Sequence, residues 1–220
     1  MKAYRTLLIL FMIMLPITVV SLGANITARM PDVYQHEFKS TNGLTGLGLG
    51  KDSDEMGQFI SDFMFGKSES FQIDVGDEKH EFVFKERELK AVSTARRYLN
   101  VTAVFGVVAA VITIAAIFVA KKNEEDKELR SYFKKSISFY ILFTIIYVGM
   151  FFALFPMGRS PGEIFGYIPL EEDLLPLIFT KELLKKMCIS SVVVCTVIYS
   201  LVGYVVYKLT EPKKIFSRTY

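Results

Sequence analysis

Four stretches of this chain, 7–24, 101–120, 137–155 and 188–207, contain no Asp, Glu, Lys, Arg or His. A helix of about 20 apolar residues crosses the hydrocarbon core of a bilayer. Inside that core only helices and closed barrels satisfy their own backbone polar groups. Runs of this kind predict an all-α membrane protein with four transmembrane helices, and a composition that is 51% hydrophobic agrees. Ion paths, proton relays and voltage sensors place ionisable residues within their spans. Their absence here argues against a pump, an ion-coupled transporter or a voltage sensor. A formal charge of +3 gives no ground for a nucleic-acid partner.

Basic residues flank the runs. The connector KKNEEDKELRSYFKK holds six in fifteen, and the tail KLTEPKKIFSRTY holds four more. An excess of Lys and Arg marks cytoplasmic loops. The expected layout is helix 1 at 1–24, an external domain at 25–100, helix 2 at 101–120, a cytoplasmic loop at 121–136, helix 3 at 137–155, an external loop at 156–187, helix 4 at 188–207 and a tail at 208–220. The protein is expected in the cell membrane, multi-pass, with both termini cytoplasmic. The first run, with Lys2 and Arg5 before it and Ser21 and Gly23 near its end, also fits a cleavable signal peptide; the anchor reading is preferred. Gly106 with Ala110 and Ala116 with Ala120 permit close backbone approach, so helix 2 is the expected central packing helix. Cys188 and Cys195 lie roughly 10 Å apart along a helix, too far for a disulfide.

In the external domain, STNGLTGLGLGKDSDE reads as a mobile loop. Met56, Phe59, Ile60, Phe63 and Met64 form one helical stripe, expected to pack on an external core because the polar face is acidic. FQIDV and HEFVF around GDEK read as a β-hairpin, which makes this a small α+β domain. Leu89, Val92, Ala95 and Leu99 then mark an amphipathic helix at 84–99 that feeds helix 2. It carries Arg96 and Arg97 to the headgroup level, where basic side chains anchor a helix or hold lipid phosphate. In the second external segment Glu171, Glu172 and Asp173 read as a solvated turn or helix start rather than a cation site. No metal or other cofactor is expected. Asn25-Ile-Thr27 and Asn100-Val-Thr102 match a glycosylation pattern that carries little weight here. No P-loop, GxGxxG, GxSxG or HExxH occurs.

Phe84, Arg87, Glu88 and Leu89 ahead of helix 2, with Arg96 further along and Asp173, Leu175 and Ile178 in YIPLEEDLLPLIFTKELL, give the chain a specific likeness. It resembles the small four-span bacterial integral membrane family that includes the lipoprotein intramolecular transacylases. The resemblance implies acyl transfer from the lipid-modified glyceryl group of a lipoprotein to its N-terminal amine. Glu88 would be the base, with Arg87 and Asp173 beside it, and Arg96 would pair with phosphate or oxyanion. Ala91 and Thr94 stand where that family has a histidine and an acidic residue, and the second external segment has no histidine. A base near neutral pKa is what such chemistry needs, and the nearest histidine, His80 about eleven residues upstream in the hairpin, reads as structural rather than as that base. Two functions are therefore weighed: divergent acyl transfer at a lipid- or lipoprotein-facing site, and a non-catalytic accessory or binding protein on the same scaffold. Expected partners are membrane lipids, together with a lipoprotein or a partner membrane subunit.

Overall fold

The computed structural model describes residues 2–44, 47, 49–73, 83–154 and 167–211. Among these residues seven helices form: α1 (Lys2–Thr27), α2 (Pro31–Thr41), α3 (Ser53–Phe65), α4 (Glu86–Lys122), α5 (Asp126–Leu154), α6 (Leu175–Ile178) and α7 (Lys181–Leu209). Of these, α1, α4, α5 and α7 are long and apolar enough to cross a membrane. The chain is a multi-pass membrane protein.

The bundle is organised around α1, which packs against α4, α5 and α7. This corrects the expectation that helix 2 is central. The small residues of α4 do serve close packing, but as its one inward stripe of Gly106, Ala109, Thr113, Ala116 and Ala120. Leu8, Phe11, Leu15 and Val19 of α1 fill the middle of the bundle with Ala116, Ala120 and Cys195. Close approach is literal at two crossings. A β-carbon on Gly23 would collide with Cys195 Sγ, and one on Gly106 would meet Ser21 Oγ at 2.9 Å. Hydroxyl rungs join α5 to α7: Ser136 with Tyr199 at 2.6 Å, Tyr140 with Thr196 at 3.0 Å and Tyr147 with Ser191 at 3.1 Å.

A cap of helix and irregular chain sits on one end of the bundle. The stripe expected for α3 is correct: Met56, Ile60, Phe63 and Met64 are buried, with Phe59 packed against them. Asp52 starts that helix with a capping box, accepting from Asp54 N at 2.9 Å and Glu55 N at 2.8 Å. Gly66, at φ +88°, ends it in the left-handed conformation that favours glycine. Phe71 lies at the centre, its ring about 5 Å from those of Phe59, Phe63 and Phe84. From α2, Tyr34 is buried in the same core and donates to the Ala28 carbonyl just beyond α1 at 2.6 Å.

Two expectations for this region change. The α+β domain is not supported, because no strand forms among the described residues. The hairpin's turn and His80 lie outside those residues. Its described flanks, 71–73 and 83–84, are joined by Val83 N to Ile73 O at 3.3 Å and by the Gln72 amide, which bonds the Phe84 backbone at 2.9 and 3.0 Å. The glycine-rich stretch is anchored: Leu49 is buried in the cap core, and Leu44 and Leu47 pack on it.

Candidate functional site

The first turn of α4 carries two of the sequence-predicted site residues, and the second loop brings Asp173 to them. Glu88 is 1% exposed. One of its oxygens accepts from Lys85 N at 2.9 Å, closing the start of α4, and the other accepts from Leu175 N at 2.8 Å, closing the start of α6. Asp173, 2% exposed, accepts from the Tyr167 hydroxyl at 2.7 Å, from Leu170 N at 2.9 Å and from the Arg87 guanidinium, with Lys85 Nζ at 3.7 Å. Burial by itself raises the Asp173 carboxyl, but the Leu170 amide, the Tyr167 hydroxyl and Arg87 outweigh it and hold the group at about 2, against an ordinary 3.8. Burial first, and the bond to Asp173 second, push the Tyr167 phenol up. Glu172 is fully exposed, and Lys85, 2.9 Å away, holds it below the usual range.

Arg87, Glu88 and Asp173 thus converge, and their bonds fasten the 167–178 segment to the start of α4. Both carboxylates face backbone amides and fixed side chains, which is the environment of a clasp. No group of three His, Cys, Asp or Glu side chains suited to a metal occurs among the described residues.

Arg96 and Arg97 stand elsewhere. They lie eight and nine residues along α4 from Glu88, about 12 Å of rise. There the helix passes from its polar start into its apolar length. A groove of about 420 Å³ opens at this boundary, lined by Phe63, Ser93, Arg96, Arg97, Asn100, Val101, Val104 and Phe105. The Arg96 guanidinium lies over the Phe63 ring, 4.9 Å from its centre, and donates to Ser68 O at 3.1 Å. Gly66 makes room for it: a β-carbon there would meet Arg96 Nη2 at 2.9 Å.

Behind the groove sits Arg29, which the sequence reading did not single out. Its Nη2 donates to Asn100 Oδ1 at 2.8 Å, its Nε donates to Met64 O at 3.2 Å, and its Nη1 donates to Asn25 Oδ1. Asn25 in turn donates to Thr102 Oγ1 at 3.0 Å and to Ser21 O at 2.9 Å. Burial lowers the Arg29 pKa most; Tyr34 opposes this, and the positive Arg96 nearby adds to the lowering. The two asparagines of the glycosylation-like motifs therefore belong to a polar network that ties α1 to α4.

Comparisons with protein-family models, curated proteins and solved structures find no match.

Proposed function

We propose that this protein holds a membrane lipid by its headgroup at the cap end of the bundle, on the outer face of the cell membrane, and performs no chemistry of its own. One observation carries the reading: the groove at Arg96 and Arg97 is charged at one end and apolar at the other, at the level where a helix long enough to span a bilayer enters it. An amphiphile has that same division. The basic connector 121–135 at the opposite end supports an outward-facing cap.

The acyl-transfer reading implied by the transacylase resemblance draws on Arg87, Glu88 and Asp173. A substrate amine approaching Glu88 would have to displace the Lys85 and Leu175 amides from it, and so undo the start of two helices. The non-catalytic reading is favoured on this ground.

Phospholipid should copurify with the full-length protein in mild detergent, and the Arg96→Ala/Arg97→Ala double variant should retain less than half as much by lipid mass spectrometry. Equal retention would overturn the lipid site. Mass spectrometry of lipoprotein N-termini should show the same acylation in cells with and without the protein; a new N-acyl form would overturn the non-catalytic part.

A further inference from the structure

The polar end of the groove offers donors and almost nothing that accepts. Arg96 and Arg97 are cations, and among the described residues no carboxylate lines the space. Asn100 could in principle present either its oxygen or its nitrogen. The Arg29 guanidinium settles which, because its Nη2 occupies Asn100 Oδ1 at 2.8 Å and leaves the Nδ2 hydrogens for a ligand. Ser93 contributes a hydroxyl that rotates to suit. Among the described residues, Arg29, Arg96 and Arg97 have no carboxylate partner; the acceptors of Arg29 and Arg96 are carbonyl and amide oxygens, all neutral. Three positive charges are gathered at one level without a counter-charge. This is a costly arrangement in a chain that pairs Lys39, Lys67, Lys85, Lys121 and Lys186 with acids.

We infer that the groove selects a lipid whose headgroup is a net-negative phosphodiester over a zwitterionic one, with Arg29 as the positioning residue that turns Asn100 to face it. The inference rests on the lipid-holding reading and adds the ligand's charge. A phosphodiester brings only acceptors, which matches a donor-only lining, and its glycerol-linked chain continues onto Val101, Val104 and Phe105. A choline or ethanolamine group would bring a fourth cation to these three, with no carboxylate among the described residues to receive it. Each arginine near an anionic headgroup is worth roughly a fivefold preference, so the two in the groove together give roughly thirtyfold.

The test is native mass spectrometry of the full-length protein in detergent, titrated separately with dioleoyl-phosphatidylglycerol, dioleoyl-phosphatidylcholine and sn-glycerol 3-phosphate. Phosphatidylglycerol should bind about thirtyfold more tightly than phosphatidylcholine. Arg96→Ala/Arg97→Ala should abolish the preference. Arg29→Gln should lower it severalfold, and Lys134→Gln, an exposed charge at the opposite end, should leave it intact. Equal binding of the two lipids, still weakened by Val104→Trp in the groove, would overturn the charge selection and leave the lipid-holding reading standing. Lipid binding that none of the groove variants alters would overturn both. Displacement of phosphatidylglycerol by equimolar sn-glycerol 3-phosphate would show a site for free phosphate esters and overturn the lipid as occupant.

Discussion

At the scale of single residues, the buried carboxylates separate a structural role from a chemical one. Glu88→Ala leaves the Lys85 and Leu175 amides without their acceptor. Buried orphaned donors of this kind cost about 2–3 kcal/mol together, readable as a lower melting temperature in detergent. Glu88→Gln keeps one good acceptor and should lose about half as much. Asp173 gives the pH dependence. Its native pKa of about 2 lies below the ordinary 3.8, so its contribution is full above pH 4 and disappears as pH falls from 4 towards 2. Asp173→Asn should flatten that acid limb of the stability curve, and an unchanged limb would contradict the clasp. Which of these residues were legible beforehand follows from their neighbours. Arg87, Glu88, Arg96 and Asp173 stood out by type and position. The Leu175 amide on Glu88 and the Arg29–Asn100 pair did not, because those bonds join residues 87 and 71 apart in sequence.

At the scale of elements, periodicity served wherever one face is buried continuously. The α3 stripe and the passage of the amphipathic start of α4 into its apolar length both came from three- and four-residue spacing. Alternation misled at 71–73 and 83–84. Phe71, Ile73 and Phe84 are indeed buried, but they reach the cap core from chain held by the Gln72 side chain and one backbone bond rather than a ladder. The glycine-rich stretch misled for a related reason, since its leucines supply anchors that glycine content conceals. The central position of α1 could not be read at all, because hydropathy reports length and not neighbours. That position makes a prediction. Gly23→Val should cost about 1–3 kcal/mol by forcing α1 from Cys195. Gly149→Val, with nothing within 4 Å of the added carbon, should be close to neutral. Removal of α1 by cleavage would take away the helix on which the other three pack, so N-terminal sequencing of the mature protein should find it retained.

For the whole molecule, the lipid-holding account makes the four spanning helices the support and the cap the working surface. The clasp at Glu88 and Asp173 holds the second loop down, and the Arg29 network joins α1 and α3 to α4 immediately beside the groove. The lipid-holding account requires all of this to face away from the cytosol, with the 121–126 turn and the end of α7 at Thr210 on the other side. Cysteine accessibility in intact cells tests that most directly. The native Cys188 and Cys195 are 1% and 2% exposed and contribute little background. Asp32→Cys on α2 should react with a membrane-impermeant maleimide added outside, and Lys127→Cys at the start of α5 should react only after the membrane is opened. Labelling of Lys127→Cys but not Asp32→Cys in intact cells would place the groove in the inner leaflet and contradict the account.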